Sequence, residues 1–215
     1  METKLIDMTV SRFAAVTASE APAPGGGSIA ALEAALGAAL TAMVCNFTTG
    51  RKKWAAYEEK AKLMEQKSLA LQQQALEVID RDTQAFNAVS AVFAMPKDTD
   101  TDKAARKAAM QEALKGCTVT PLEVMDIALR ALLIIQDMLG GYNTSAASDL
   151  GCAALSLKAG LQGAWLNVLI NISGIDDADF AAETRERGRK ILDQALPLAD
   201  VIYEGIEKSC EGAVS

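Results

Sequence analysis

A run of nineteen mostly apolar residues, from Ile29 to Phe47, follows directly after the segment Pro22-Ala23-Pro24-Gly25-Gly26-Gly27-Ser28. Large side chains recur in this run at spacings of three and four, on one stripe made of Ile29, Leu32, Leu36, Leu40, Met43 and Phe47. Small residues occupy the opposite side, namely Ala30, Ala34, Gly37, Ala38 and Ala42. Neighbours can therefore pack against both sides, which predicts a central helix surrounded by others, from Ser28 to about Thr48.

Helical periodicity continues along the rest of the chain, and no segment alternates as a β-strand would. We expect one all-α domain over residues 1–215, a helical bundle with long central helices. Thr9 or Ser11 should cap a first helix that ends near Ala18. A long helix is predicted over 54–94, closed by Pro96, and a polar helix from the cap at 98–101 to about 115. The next helix should start at the capping box Thr120-Pro121-Leu122-Glu123 and end at Gly140-Gly141. The last two predicted helices cover 148–172 and 177–208.

Composition excludes several classes of function. The net charge of −7 argues against a nucleic-acid partner, because phosphate binding needs clustered Lys and Arg. The chain has no histidine, and its four cysteines contain no CxxC pair, which argues against metal sites and against Ser-His or Cys-His catalysis.

Glu33, Thr41 and Asn46 interrupt the apolar run, so we do not read it as a membrane span. The first residues lack the apolar core of a signal peptide, so we expect a cytoplasmic protein with reduced thiols.

The glycine-rich loop before the central helix has two readings. Three glycines let the backbone approach a ligand closely, and the helix points its unpaired N–H groups and positive dipole end at that loop. The loop and helix would then clamp an anion or a carbonyl group. Alternatively the loop is only a helix start, with Ser28 as the N-cap residue.

Asp82 lies on an apolar stripe of the third predicted helix, a stripe made of Leu69, Leu76, Ile79, Phe86, Val89 and Phe93. A carboxylate among core positions costs free energy unless it is paired or hydrogen-bonded, and burial should raise its pKa toward the range useful for acid–base chemistry. In a chain without histidine, Asp82 is the leading candidate for a general base. The alternative is a structural aspartate that holds a neighbouring helix through a buried hydrogen bond.

Two further sets of residues are candidates for ligand contacts. Ser148 and Asp149 begin a helix that has a small, polar face, on which glycines at 160 and 163 and Asn167 would let a backbone or a flat ligand approach. Either Ser148 or Asp149 could instead be an N-cap. Lys52 and Lys53 form a basic cluster that follows the central helix, about 30 Å from the glycine loop by helical rise. They could serve the far end of a ligand or the site of a neighbouring subunit.

Several motifs, in this order, resemble the formiminotransferase–cyclodeaminase C-terminal family over about residues 5–207. They are Pro24-Gly25-Gly26-Gly27-Ser28, Met43-Val44-Cys45-Asn46, Gly50-Arg51-Lys52-Lys53, Asp80-Arg81-Asp82 with Ala85-Phe86-Asn87, Pro96-Lys97, Pro121-Leu122-Glu123, Ser148-Asp149-Leu150-Gly151 and Asn167-Val168-Leu169-Ile170-Asn171. Stand-alone bacterial members of this family include methenyltetrahydrofolate cyclohydrolases, to which the sequence is most similar.

The resemblance implies an all-α bundle that assembles as a homodimer and binds a tetrahydrofolate derivative among its helices, with no cofactor beyond that substrate. It assigns Asp82 as the acid–base residue. The family's glycine loop corresponds to Pro24, Gly25, Gly26, Gly27 and Ser28 of this chain. Its Ser-Asp pair corresponds to Ser148 and Asp149. We expect catalysis by Asp82 and Asp149, and substrate contacts from Pro24, Gly25, Gly26, Gly27, Ser28, Lys52, Lys53, Ser148 and Asn167.

The expected reaction is hydrolysis of 5,10-methenyltetrahydrofolate to 10-formyltetrahydrofolate. Asp82 would accept a proton from water as it adds to the cationic methenyl carbon, and Asp82 or Asp149 would return a proton. Asn167 and the glycine loop would hold the pterin or its amide, and the lysines the glutamate tail. One alternative is formiminotetrahydrofolate cyclodeaminase, in which N10 attacks the formimino carbon and ammonia leaves. A further alternative is a non-catalytic helical dimerisation module.

Overall fold

The computed structural model describes residues 4–212, and within them every regular element is helical. The α-helices are α1 (Val10–Thr17), α2 (Gly26–Thr48), α3 (Glu58–Phe93), α4 (Asp100–Met138), α5 (Ala147–Ile172) and α6 (Ala178–Gly212). Short 3₁₀ helices cover Leu5–Asp7, Lys52–Tyr57 and Thr144–Ala146. Helix α2 packs against α3, α4 and α5, whereas α6 lies on α4 and α5. The predicted all-α bundle with long central helices is confirmed.

Helix α2 is central because its small residues let α5 approach closely. A Cβ placed on Gly160 of α5 would lie 2.7 Å from the Ala30 carbonyl oxygen, and a Cβ on Gly37 would lie 3.0 Å from the Ala153 carbonyl oxygen. The predicted close approach at these glycines is therefore present, and α2 and α5 run antiparallel. The opposite side of α2 is less covered, because Leu36 and Phe47 remain 53% and 44% exposed in the single chain.

By length and apolar composition alone, α2 is also the one helix within residues 4–212 that could cross a membrane. Its most apolar window is 61% buried by the rest of the chain. A central core helix meets the same criteria. The predicted packing is present on the small-residue side of α2, whereas none of the large side chains of the predicted stripe is fully buried within the chain.

Helix α3 differs from its prediction at its start and in its buried face. It begins at Glu58 rather than near Trp54, because residues 52–57 form the 3₁₀ helix. Of the predicted apolar stripe, Ile79 is buried, but Leu69, Phe86 and Phe93 are exposed by 44%, 43% and 65%. The side chains that α3 buries are Ala61, Met64, Ser68, Leu71, Ala75, Val78, Ile79 and Val92. The predicted stripe was wrong at Leu69, since α3 buries the neighbouring face of Ser68 and Leu71 there. It was also wrong beyond Asp82, because α2 starts at that level and does not cover the last turns of α3.

Helix α4 replaces two predicted helices, and the predicted start at Thr120-Pro121 was wrong. The chain stays helical through Pro121 because its neighbours supply what proline removes. Proline has no N–H for the carbonyl four residues earlier, which here belongs to Cys117. The side-chain amide of Asn171 on α5 donates to that carbonyl over 2.7 Å instead. A tertiary hydrogen bond therefore compensates for the missing helical one.

Other predicted ends agree with the structure. The hydroxyl of Thr9 accepts from the backbone N–H of Arg12 and caps α1. The carboxylate of Asp177 accepts from the N–H of Phe180 at the start of α6. Thr99 and Asp102 form a reciprocal capping box at the start of α4. Local sequence was sufficient at these ends because each cap is made within three residues.

Candidate active site

Asp82 lies on α3 against the first turn of α2. Its Oδ2 accepts from the Ser28 hydroxyl over 3.0 Å, and its Oδ1 accepts from the Thr120 hydroxyl of α4 over 3.4 Å. The backbone N–H of Ser28 also hydrogen-bonds to this carboxyl group. Asp82 therefore joins three helices and serves as an N-terminal cap for α2, although it is 54 residues away in sequence. The structural role considered for Asp82 is thus present, and it leaves a chemical role open.

Burial raises the pKa of Asp82 above its ordinary value. The hydrogen bonds from the Ser28 hydroxyl, the Thr120 hydroxyl and the Ser28 backbone act in the opposite direction, since they stabilise the carboxylate. Burial is the larger effect. A carboxylate with a raised pKa accepts a proton more readily than an ordinary surface aspartate does.

The glycine loop is in contact with Asp82 at Gly27. A Cβ at Gly27 would lie 2.7 Å from Oδ2 of Asp82 and 2.8 Å from its carboxyl carbon, so any side chain there would displace the carboxylate. A Cβ at Gly26 would lie 3.3 Å from the Nδ2 atom of Asn167. Gly25 occupies the N-cap position and Pro24 is buried beside it in the sequence. The structure thus brings together the predicted residues Pro24, Gly25, Gly26, Gly27, Ser28, Asp82 and Asn167.

Ser28 is not the N-cap residue, so that alternative for it was wrong. The helix starts at Gly26, and Ser28 is its third residue with a fully buried side chain. Its hydroxyl turns toward Asp82 instead of toward its own helix end. The sequence could not reveal this, because the partner is on another helix.

Thr120 is a site residue that the sequence analysis missed. It was read as part of a helix start, whereas it lies in the middle of α4, 5% exposed, with its hydroxyl toward Asp82. The signal available in the sequence was the Thr-Pro pair within a helical pattern. A proline there is tolerated only with a compensating donor, and Asn171 provides that donor to the turn that precedes Thr120.

Asn167 and Asn171 lie one turn apart on α5. The Asn167 amide donates to the Gly163 carbonyl over 2.9 Å, which orients its carboxamide along α5 and beside Gly26. Asn171 is engaged with Cys117. The amide of Asn167 therefore faces the loop that begins α2, as expected for a residue at the rim of the site.

The structure does not bring Ser148, Asp149, Lys52 or Lys53 to Asp82 within one chain. Asp149 is eighteen residues from Asn167 on the same helix, a separation of about 27 Å along α5. Neither Ser148 nor Asp149 is an N-cap, because α5 begins at Ala147. The lysines follow the far end of α2, where Lys53 lies over the Trp54 ring at 4.9 Å.

Neither a metal-binding cluster nor a reactive thiol lies beside Asp82 in the part of the chain that the structure describes. Within residues 4–212 no three Cys, Asp or Glu side chains converge. Cys117 is buried near Asp82, and its pKa is raised by burial and by the charge of Asp82, so the thiol stays protonated. Asp82 is therefore the group of this cluster that can exchange a proton with a bound molecule.

The end of α3 beyond Asp82 carries exposed apolar side chains. Phe86 is one turn from Asp82 on the same helix, and Phe86 and Phe93 are both exposed. Asp82 is therefore followed on α3 by apolar surface that the rest of the chain leaves uncovered.

Comparison with known proteins places this fold and these motifs in one family. The profile of the formiminotransferase-cyclodeaminase family matches residues 9–190. A methenyltetrahydrofolate cyclohydrolase from Methylorubrum extorquens is 40% identical over 93% of this chain and 96% of its own length. A formimidoyltransferase-cyclodeaminase from Rattus norvegicus is 32% identical over 96% of this chain, which spans only 38% of that relative.

The fold has also been seen in a crystal structure. A formiminotetrahydrofolate cyclodeaminase from Thermotoga maritima superposes with a TM-score of 0.81 at 24% identity, covering 99% of this chain and all of that one. At that identity the likeness concerns the fold alone. The family profile and the near full-length relative carry the assignment, and the chain belongs to the formiminotransferase-cyclodeaminase family.

Proposed function

We propose that the protein hydrolyses 5,10-methenyltetrahydrofolate to 10-formyltetrahydrofolate. One observation carries the chemistry: a largely buried carboxylate with a raised pKa, Asp82, is held by the hydroxyls of Ser28 and Thr120 where three helices meet. The choice of substrate is supported by the 40% identical relative named methenyltetrahydrofolate cyclohydrolase, of which this chain covers 96%. In a chain without histidine, a tuned carboxylate is the natural proton carrier.

In the proposed reaction water adds to the methenyl carbon, which is already electrophilic because it is part of an amidinium cation. Asp82 accepts the proton of the attacking water. The tetrahedral intermediate then breaks its bond to N5, and Asp82 returns the proton to that nitrogen. The hydroxyl on the former methenyl carbon gives up its own proton to solvent as the carbonyl of the N10-formyl product forms. Holding water and substrate together and transferring the proton through one group supplies much of the acceleration. The negative carboxylate also favours the cationic substrate over its neutral product.

The other residues position the reaction. We assign the Ser28 and Thr120 hydroxyls to orienting Asp82, and Gly27 to leaving room for it. Pro24, Gly25, Gly26 and Asn167 form the rim that would hold the pterin or its amide. No cofactor beyond the folate substrate is part of the proposal, and neither nucleic acid nor a membrane is proposed as a partner. We place the protein in the cytoplasm.

The second candidate is formiminotetrahydrofolate cyclodeaminase. It is favoured by the cyclodeaminase relatives at about a third identity and uses the same proton carrier, with N10 attacking and ammonia leaving. Because this chain spans only 38% of the rat relative, that name describes a longer protein. The cyclohydrolase relative matches over nearly its whole length, so we place the hydrolase first.

We further propose a homodimer formed by the outward faces of α2 and α5. Five large apolar side chains of these two helices are exposed in the single chain, and a second chain could cover them: Leu36 and Phe47 of α2, and Leu155, Leu166 and Ile170 of α5. Leu36 lies near the middle of α2, so a two-fold axis beside it would pair the α2 helices antiparallel. The far end of one chain, with Lys52, Lys53, Ser148 and Asp149, would then approach the glycine loop of the other.

The first test is the near-ultraviolet absorbance of 5,10-methenyltetrahydrofolate after addition of the purified protein, at a pH where spontaneous hydrolysis is slow. Rapid loss of the band supports the hydrolase. If the band persists and instead forms from 5-formiminotetrahydrofolate with release of ammonia, the cyclodeaminase is the correct reading. If the absorbance changes with neither substrate, the result would support the non-catalytic helical module. Light scattering of wild type and Leu36→Glu tests the dimer, since a buried charge should leave monomers.

A further inference from the structure

Arg81, the residue before Asp82 on α3, forms an ion pair with Glu123 of α4. Its Nη2 atom lies 2.7 Å from Oε1 of Glu123, a short distance typical of a charge-assisted hydrogen bond. Glu123 is one helical turn after Thr120, whose hydroxyl donates to Asp82. The proposed function gives neither partner of this ion pair a role.

Asp82 lies where the buried apolar packing of α3 ends. Val78 and Ile79 are the last side chains that α3 buries before Asp82. Over residues 80–91 the helix buries no side chain, and the next one is Val92. Close-packed side chains therefore fix α3 up to the turn before Asp82 but not the turns after it. Polar contacts with neighbouring helices have to position the carboxylate at this point.

The side-chain hydrogen bonds between α3 and α4 follow one antiparallel register, in which later residues of α3 meet earlier residues of α4. The partners are Gln74 with Arg130, Arg81 with Glu123, Asp82 with Thr120, and the Val92 carbonyl with Arg106. The contact at Val92 is ten residues beyond Asp82, about 15 Å along α3. The ion pair of Arg81 is therefore the contact that fixes α4 against α3 beside Asp82.

The hydrogen bond between Thr120 and Asp82 is sensitive to small shifts of α4. The Thr120 hydroxyl lies 3.4 Å from Oδ1 of Asp82, at the long end of the range for a hydrogen bond. The adjacent ion pair is part-exposed, by 43% at Arg81 and 32% at Glu123, so it contributes little to overall stability. A small outward shift of α4 would break the Thr120 contact without unfolding the bundle.

We propose that the Arg81–Glu123 ion pair is a positioning element of the active site, which holds the Thr120 hydroxyl against the carboxylate of Asp82. This inference rests on the proposed function, in which Asp82 carries the proton. Arg81 and Glu123 do not contact the reacting atoms in this proposal and act through Thr120. Their loss should therefore change the proton affinity of Asp82 and leave substrate binding unchanged.

Few titratable side chains lie around Asp82. On α3 and α4 its titratable neighbours are Asp80, Arg81, Cys117 and Glu123. The first turn of α2, residues 26–29, and residues 159–172 of α5 contain no charged side chain. Arg81 is the positive group among the neighbours on α3 and α4, so its charge is a second way in which it could act on Asp82.

A double-mutant cycle separates the two ways. Loss of the Arg81 charge and loss of the Thr120 hydrogen bond would both raise the pKa of Asp82. A direct effect of the charge does not need the Thr120 hydroxyl, whereas positioning does. Arg81→Met removes the ion pair with an unbranched side chain that suits a helix, and it is combined with Thr120→Val.

The first measurement is the pKa of Asp82 from NMR of the aspartate carboxyl carbons in the full chain, with the signal assigned by its loss in Asp82→Asn. Arg81→Met should raise this pKa, and clearly less so in the Thr120→Val background. Equal changes in the two backgrounds would overturn the positioning role. Asp200→Asn is the matched control, because it breaks an ion pair with Lys158 between α5 and α6 and should leave the pKa of Asp82 unchanged.

Glu123→Met provides a second test, in which the two effects have opposite signs. Removing this negative charge would by itself lower the pKa of Asp82, whereas losing the Thr120 hydrogen bond would raise it. We expect a raised pKa, and a lowered one would overturn the proposal. Thermal unfolding checks that each variant is folded, and either methionine variant tests the inference without the other.

Turnover separates this inference from the proposed function. Arg81→Met should move the acidic limb of the kcat/KM profile to higher pH, so that the rate on that limb falls about threefold to tenfold, the effect of one hydrogen bond. The expected NMR changes without turnover would retain the positioning role and refute the hydrolase. Hydrolysis with an acidic limb that neither methionine variant moves would retain the hydrolase and overturn the positioning role.

Discussion

The Ser28 hydroxyl donates to Oδ2 of Asp82 over 3.0 Å, and this contact links the first turn of α2 to the middle of α3. It places a carboxylate at the positive end of a helix dipole while the surrounding helices bury it. Burial raises the pKa of Asp82 and is the larger effect, whereas the hydrogen bonds from Ser28 and Thr120 lower it. The same contact therefore fixes the geometry of the bundle and prepares a proton acceptor.

Asp82→Asn should abolish most of the activity and keep the fold. A general acid–base group contributes about 10²- to 10⁴-fold to a rate, so hydrolysis followed by the methenyl absorbance should fall within that range. Circular dichroism provides the control for folding. A folded Asp82→Asn protein with wild-type turnover would remove Asp82 from the mechanism.

The same variant has a predicted signature in stability against pH. Because the pKa of Asp82 is higher in the folded protein than in the unfolded chain, the folded state retains its proton more tightly. The stability contributed by this group is fully present below the unfolded pKa and is lost as pH rises through the folded pKa. Urea unfolding should therefore show wild type losing stability relative to Asp82→Asn between acidic and neutral pH. A difference that does not depend on pH would contradict the raised pKa.

Thr120→Val should move the acidic limb of the kcat/KM profile to higher pH. The valine keeps the shape of the threonine but removes the hydroxyl that stabilises the carboxylate, so the pKa of Asp82 should rise further. Thr120→Ser retains the hydroxyl and should restore the wild-type profile. If valine lowers the rate equally at every pH, Thr120 acts on packing and not on the proton affinity of Asp82.

Gly27→Ala should reduce turnover about 10²-fold, since displacing a catalytic group by an ångström has an effect of that order. Its Cβ would lie 2.7 Å from Oδ2 of Asp82, where only the carboxylate can yield. Gly205→Ala on α6 is the matched control, because a Cβ there has no neighbour within 4 Å. Steady-state kinetics compare the turnover of Gly27→Ala with that of Gly205→Ala. Equal turnover would show that the glycine loop adjusts without moving Asp82.

Asn171→Ala should destabilise the fold by about 1–3 kcal/mol, because it leaves the Cys117 carbonyl without its donor. Pro121→Ala supplies a helical N–H to that carbonyl, so the cost of Asn171→Ala should shrink in its presence. Urea unfolding of the two single variants and the double variant measures this coupling. Additive effects would mean that the amide of Asn171 does not substitute for the missing N–H.

Sequence reasoning was accurate where the relevant interaction is local. Caps at Thr9 and Asp177 were predictable because their partners lie three residues away. It was wrong at Pro121, where a local rule favours a helix start and the tertiary donor Asn171 overrides it. It was also wrong about the exposed end of α3, since periodicity says which residues share a face but not how far the covering helix extends.

In the candidate site, too, the sequence identified what local pattern shows and missed what depends on packing between helices. Asp82 stood out as a carboxylate among apolar positions, and the glycine loop stood out by composition, so both were identifiable from the sequence. Thr120 was not, because its hydroxyl acquires a role only when α4 packs against α3. Asp149 and Lys53 were grouped with the site by motif, yet helix length holds them far from Asp82 in one chain.

The sequence by itself determined an all-helical bundle around a small-residue helix, because helical periodicity and Ala/Gly packing are properties of residue spacing. It also determined that proton transfer would depend on a carboxylate, since no histidine is present. Tertiary structure decided which hydroxyls hold Asp82, that burial outweighs them in its pKa, and that the end of α3 beyond the start of α2 stays exposed. These depend on distances between atoms of different helices, which are set only when the helices pack.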